Sequence, residues 1–170
     1  MSMLGYEFEA VASGADETIP AGVDPTEAAA LLAYRKAMAV AARYKNALVI
    51  GADTLVVCGR TLLGKPTDES DALRMLEMLS GRSHRVITGL YAVADDRERQ
   101  AVEVTRVFFT DTTLEQRRVY VATGEPFDKA GAYGIQGNAG RFIRRIEGCY
   151  YNVVGLPLAA LDSLIGPLLV

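Results

Sequence analysis

Cysteine and histidine are scarce: Cys58 and Cys149 stand alone, and His84 is the only histidine in 170 residues. With no CxxC spacing and no histidine pair beside them, neither a zinc site nor a disulfide framework is encoded, and the expected compartment is the cytoplasm. A lone histidine is more often a hydrogen-bonded spacer than a base. No apolar run approaches the ~20 residues that span a bilayer. The opening Met1 to Glu7 stretch has neither a basic nor an apolar leader region. Secretion and membrane insertion are disfavoured. Charge of one sign is also in short supply: a net −3 with 23% charged residues implies no polyanion-binding surface, so nucleic acid is not an expected partner. A few converging lysines and arginines can still hold a small phosphate ligand.

What the chain does have is enough apolar residue, 50% of the total, to fill one core, and its length fits a single domain. The richest stretch is Ala47 to Val57, an almost unbroken apolar run with one carboxylate, Asp53, in its middle. Such a run suits a strand covered on both faces. A carboxylate there costs several kcal/mol to desolvate unless a cation or donors meet it. Either local amides satisfy Asp53 at a strand end, or it has a charged partner.

Taken in order, Tyr6 to Ala12 alternates apolar and acidic residues and reads as a short half-buried strand, leading through an acidic turn to Glu17. Glu17 is either simply solvated or turned toward a site. Asp24-Pro25-Thr26-Glu27 is a helix start, followed by the alanine-rich Ala28 to Tyr44. Leu32, Lys36 and Val40 fall at i, i+4 and i+8, so Lys36 either snorkels from an apolar stripe or faces inward toward an anion. Gly59 to Lys65 matches GxxxxGK, but Pro66 replaces the hydroxyl residue and disfavours helix at Lys65, so this is not a phosphate loop. What remains is a turn, a short strand and a lysine in extended pre-proline backbone. Thr67 to Leu79 reads as a helix, Arg85 to Ala94 and Ala101 to Phe109 as a hairpin across Asp95 to Arg99, and Thr112 to Thr123 as a short helix stopped by Gly124-Glu125-Pro126. Phe127 to Gly140 is a glycine-rich loop carrying Asp128, Lys129 and Gln136, either a ligand-reading loop or a plain connection. Arg141 to Glu147 reads as a strand, and Leu158 to Leu164 as a last helix. The hairpin argues for an α/β fold with a mixed, largely antiparallel twisted sheet flanked by helices, since an all-parallel sheet needs crossovers.

Two acids, three lysines and a polar glycine-rich loop are the parts of metal-assisted phosphoanhydride hydrolysis: acids hold a hard divalent cation and lysines hold phosphate oxygens. In their order along the chain, Ile50-Gly-Ala-Asp-Thr-Leu-Val-Val, Leu63-Gly-Lys-Pro, Leu79-Ser-Gly-Arg-Ser-His-Arg-Val-Ile-Thr-Gly, Asp128-Lys-Ala-Gly-Ala-Tyr-Gly-Ile-Gln-Gly and Tyr150-Tyr-Asn-Val-Val-Gly-Leu-Pro-Leu resemble the signature blocks of the Maf family of nucleoside triphosphate pyrophosphatases. The resemblance runs in register from about Leu4 to the C-terminus. It implies a Maf/ITPase-like domain over residues 1–170 that cleaves between the α and β phosphates with Mg2+ or Mn2+, in nucleotide house-cleaning. Carried over by motif, Asp53 is the catalytic acid and a metal ligand. Glu17 sits at the metal, and Lys36 and Lys65 serve the metal and phosphates. Thr54 and Gln136 match the base-choosing positions of the dTTP- and UTP-preferring subfamily, while the sister subfamily preferring 7-methyl-GTP has Gln and Glu there. Asp128 and Lys129 belong to the loop block and are expected at the substrate. The family's opening strand and Ser-x-Ser-Pro-Arg-Arg loop have no counterpart in the sequence. The expected partner is a nucleoside triphosphate, with a homodimer as the expected assembly. Two alternatives remain: the same fold with another base preference, and a catalytically silent nucleotide-binding or division-regulating protein.

Overall fold

The first long helix starts at its encoded cap. In the computed structural model, which describes residues 1–169, Asp24 Oδ1 accepts the Thr26 amide at 2.8 Å and Pro25 opens α1, Pro25–Ala41. Its alanines Ala28, Ala29, Ala33 and Ala37 are all buried. Small side chains let the helix backbone press against glycines of two strands, β1 (Val49–Cys58) and β3 (Ser83–Ala94). A Cβ on Gly51 would lie 2.2 Å from the Ala33 carbonyl oxygen, and one on Gly89 would lie 2.2 Å from that of Ala29.

Strand β2, Thr61–Leu63, turns back through Gly59-Arg60 and pairs antiparallel with only Val56, Val57 and Cys58 of β1. Helix α2, Glu69–Leu79, is capped by Asp68, whose Oδ1 accepts the Asp71 amide at 2.8 Å, and it buries Ala72, Met75, Leu76 and Leu79. After β3, the Asp95-Asp96 turn, with Asp95 at φ 52°, returns the chain as β4, Arg97–Phe109. Helix α3, Leu114–Val121, opens with a capping box between Thr113 and Gln116. Strand β5, Ile143–Glu147, pairs antiparallel with the end of β4, and α4 (Tyr150–Val154) and α5 (Leu158–Ile165) follow. The strand order is β2-β1-β3-β4-β5, giving the expected α/β fold with a five-stranded, largely antiparallel sheet and flanking helices.

Two compact units are distinguishable, each with its own core. The first comprises Met1–Asp53, Thr88–Glu103 and the C-terminal residues from Gly155. Its core joins Leu90, Ala92 and Ala94 to Leu161, Leu164 and Ile165, with a second cluster around Ala33, Ala37, Val49 and Tyr91. The second comprises Thr54–Ile87 and Val104–Val154, built on Leu63, Leu76, Leu79, Val107, Phe109, Tyr133 and Phe142.

One expected strand is absent. Tyr6 to Ala12 has no ladder partner, and Phe8 is exposed where the alternation predicts burial. A strand needs a neighbour for its amides and carbonyls, and local alternation does not supply one. The segment is tied instead by the Tyr6 hydroxyl to Asp162 and by Arg43 donating to the Ala12 carbonyl, and it lines one side of a groove of about 620 Å3 opposite Leu48, Ile50 and Ala52. At the other end of the chain, β5 starts at Ile143 rather than Arg141, because Asn138–Phe142 forms a 3-10 turn.

Candidate active site

Asp53 occupies the middle of β1, and the helix that crosses it brings Lys36 to its side chain. Lys36 Nζ lies 2.5 Å from Asp53 Oδ1 and 2.9 Å from Glu17 Oε1, so a single ammonium bridges two carboxylates. This removes the open readings: Asp53 is not satisfied by local amides alone, Lys36 does not snorkel to water, and Glu17 is not simply solvated. The Asp53 side chain is 11% exposed and that of Glu17 is 63% exposed, so the cluster runs from shielded to open. The close approach of α1 to Gly51 sets this geometry, because it seats the helix turn bearing Lys36 against the strand two residues before Asp53.

The electrostatics of the three groups are unbalanced. Burial raises the Asp53 carboxyl above its usual range; the hydrogen bond and charge of Lys36 pull it down without cancelling that, and Glu17 adds to the rise. For Lys36, burial works to lower the ammonium, but the bonds and charges of Asp53 and Glu17 outweigh it and hold it above its ordinary value. Two negative charges share one positive charge, and the shielded acid is the one left short. That donor set suits a hard divalent cation, which binds through one or two carboxylates and takes the rest of its oxygens from phosphate and water. Among the described residues no group of three or more His, Cys, Asp or Glu gathers for a metal.

Arg35 is a residue that sequence reading passed over. Its guanidinium donates to the carbonyls of Thr18 at 2.8 Å and Asp16 at 3.2 Å, and it pairs with the Asp16 carboxylate at 3.5 Å. The neighbour of Lys36 thus ties down the loop that presents Glu17. The available signal was an Arg-Lys pair on a helix face following an acidic turn, which local patterning does not connect.

The second unit carries the remaining expected residues. Lys129 Nζ lies 2.6 Å from Asp128 Oδ1, and this bond first, with the charges of Lys129 and Lys65, holds the exposed Asp128 carboxyl below its usual range. Lys65 is exposed, and the adjoining Gly64 carbonyl accepts the Gly131 amide at 2.9 Å. Gly131, at φ 73°, touches Val56 so closely that an added Cβ would fall 2.8 Å from its Cγ1. Tyr133 is buried and bonds His84 Nε2 at 2.7 Å, which makes the lone histidine the spacer its isolation suggested. The glycine-rich loop is therefore held at several points and is not a plain connection. Gln136 stands at its exposed tip, in a turn closed by the Gly137 amide donating to the Gly134 carbonyl at 3.1 Å. Thr54 follows Asp53 on β1 and is half-buried.

An α/β protein in which one lysine bridges two acids, the more shielded of them on a strand, and which also carries a glycine-framed turn presenting an exposed amide, has the chemistry of an enzyme class that processes phosphate esters and anhydrides. The chain belongs to the Maf family: residues 1–167 match the profile of Maf-like proteins. It is 52% identical over 159 residues to a dTTP/UTP pyrophosphatase of Geobacillus sp. (strain WCH70), covering 94% of this chain and 86% of that protein. It is 49% identical over 167 residues to a dTTP/UTP pyrophosphatase of Pelotomaculum thermopropionicum, covering 97% and 87%. A dTTP/UTP pyrophosphatase of Geobacter sulfurreducens is 51% identical over 162 residues, covering 93% and 84%. No helix among the described residues is long and apolar enough to cross a membrane.

Proposed function

We propose that this chain is a nucleoside triphosphate pyrophosphatase that hydrolyses dTTP and UTP to the monophosphate and pyrophosphate, acting in the cytoplasm as one catalytic domain over residues 1–170. The observation that carries this reading is Lys36 bridging Asp53 and Glu17, with relatives at about half identity named for that activity supplying the substrate.

Asp53 is the base. Its shielded carboxylate, already disposed to hold a proton, takes one from the attacking water as the bond between the α-phosphorus and the bridging oxygen gives way. Glu17 and Asp53 would hold a divalent cation, Mg2+ or Mn2+, which when bound offsets phosphate charge and acidifies water. Lys36 keeps Asp53 ionised and in place until substrate arrives, and Lys65 and Lys129 meet the phosphate charge. Thr54 and Gln136 read the base, and Asp128 orients Lys129. A homodimer belongs to the same reading. The direct test is pyrophosphate release from dTTP, UTP, CTP, GTP and 7-methyl-GTP, with and without a chelator. Turnover of dTTP and UTP above the others, abolished by chelation and restored by Mg2+ or Mn2+, is the expected result. Binding without turnover, or preference for 7-methyl-GTP, overturns it.

A further inference from the structure

Glu125 lies in the stop signal after α3, where sequence registers only a helix break, yet both of its carboxylate oxygens are taken by the glycine-rich loop and its support. Oε1 accepts the Tyr120 hydroxyl at 3.0 Å. Oε2 accepts both the Asn138 backbone amide at 2.9 Å and the Asn138 side-chain amide at 3.1 Å. These contacts bracket one turn. Gly134 closes it from one side and Gly137 from the other, with Ile135 and Gln136 between them. A Cβ at position 137 would fall 2.0 Å from Glu125 Oε1 and 2.3 Å from its Cδ, and a Cβ at position 134 would fall 2.7 Å from Lys129 Cε. Gly137 has φ −100°, an ordinary conformation for any residue, so an added Cβ there would press on the Glu125 carboxylate rather than strain the backbone. The turn that carries Gln136 rests on the Glu125 carboxylate and the Lys129 stem.

We propose that Glu125 is a positioning residue for base selection: it fixes the Gly134 to Asn138 turn so that the Gln136 carboxamide meets the pyrimidine edge in one orientation. This rests on the reading of Gln136 as the base-contacting group. A carboxamide reads a base only when its donor and acceptor are aimed, and an exposed side chain on an unsupported turn would sample both faces. The Glu125 oxygens are the support because one oxygen holds the turn's exit and the other a buried tyrosine of α3. Burial works to raise this carboxyl, but the bonds from Asn138, Tyr120 and the Ala139 amide outweigh it and hold it below its usual range. It therefore stays an acceptor on both oxygens at neutral pH. A glutamine at 125 has one oxygen for these three donors, so whichever way its carboxamide lies the bracket between Tyr120 and Asn138 loses an acceptor at one end.

The experiment measures kcat/KM for dTTP and dATP in the wild type, Glu125→Gln, Gly137→Ala, Gln136→Ala and the Glu125→Gln/Gln136→Ala double variant. Thermal melts are recorded to show that each is folded. Gly137→Ala is the second approach, displacing the carboxylate without removing it. Glu125→Gln and Gly137→Ala are each expected to lower the dTTP:dATP ratio of kcat/KM by about 10-fold or more, as Gln136→Ala does, and the double variant to match the single ones. An equal fall for both nucleotides in Glu125→Gln and Gly137→Ala, or a double variant that loses the product of the single effects, overturns the positioning role while leaving Gln136 as the base reader. A ratio unchanged in Gln136→Ala overturns the base-reading role itself, and this proposal with it.

Discussion

Lys36 Nζ sits 2.5 Å from Asp53 Oδ1 while also holding Glu17 Oε1 at 2.9 Å. The pair does not restore Asp53 to an ordinary carboxylate, since burial still holds its carboxyl up. A shielded carboxyl held up in this way is of the kind that functional sites use, and the proposed role of Asp53 as the base can be tested on it directly.

Asp53→Asn is therefore expected to lower pyrophosphate release from dTTP by at least ~10²–10⁴-fold, because the amide keeps the shape but neither takes a proton nor binds a cation well. Circular dichroism of the purified variant should match the wild type. A rate within a few-fold of wild type removes Asp53 from the chemistry.

His84 gives the pH prediction. It is 2% exposed, its Nδ1 has no hydrogen-bond partner among the described residues, and burial pushes its pKa down from 6.5 to about 4. The unfolded chain therefore binds a proton on this ring below pH 6.5, while the folded chain resists until about 4. Its contribution is whole above pH 6.5 and is lost as the pH falls through that window, to the extent of ~2–3 kcal/mol by pH 4.5. Urea unfolding at pH 7.5 and 4.5 should show the drop in the wild type and a drop smaller by about that amount in His84→Gln. An equal drop in both proteins contradicts the assignment.

Much of this arrangement was legible in the sequence, for reasons specific to each residue. Asp53 stood out because an apolar run does not tolerate an unmet carboxylate, and Lys36 because its helical spacing put it in an apolar stripe; each wanted what the other is. The α1 cap at Asp24 is local chemistry and was found where expected. Tyr6 to Ala12 misled because alternation reports a face and not a pairing partner. Glu125 and Arg35 stayed hidden because their bonds reach 13 and 17 to 19 residues along the chain to backbone groups, and no periodicity marks a side chain that serves distant amides and carbonyls.

The fit of α1 against β1 can be tested through Gly51. A Cβ there meets the Ala33 carbonyl oxygen at 2.2 Å and the Ala37 nitrogen at 2.7 Å, both helix backbone, so no rotamer change relieves it. Gly51→Ala should cost ~1–3 kcal/mol or more of stability and shift Lys36 away from Asp53, lowering kcat as well. Gly166→Ala is the control, since a Cβ there meets nothing within 4 Å. Equal melting temperatures for the two variants would show that the helix yields freely and does not set the Lys36 to Asp53 distance.

The base-reading role of Gln136 makes a sharper demand. A uracil or thymine edge presents two carbonyl acceptors flanking one N–H donor, and a carboxamide can donate to one carbonyl and accept from the N–H at once; a carboxylate only accepts. Gln136→Glu keeps size and reach, and the side chain is exposed at the tip of its turn, so the fold has no reason to change. Its effect should then be chemical: a carbonyl left unpaired and facing a negative charge costs ~1–3 kcal/mol, or about 10–100-fold in kcat/KM for dTTP and UTP. Cytosine presents an amino donor where uracil has a carbonyl, so CTP should lose less, and a purine triphosphate should change little beyond the general repulsion of an added charge. If Gln136 merely braces the loop, all four nucleotides should fall together. Measuring kcat/KM for dTTP, UTP, CTP and dATP in both proteins separates the two outcomes, and a uniform decrease would leave Thr54 as the remaining candidate for pyrimidine choice.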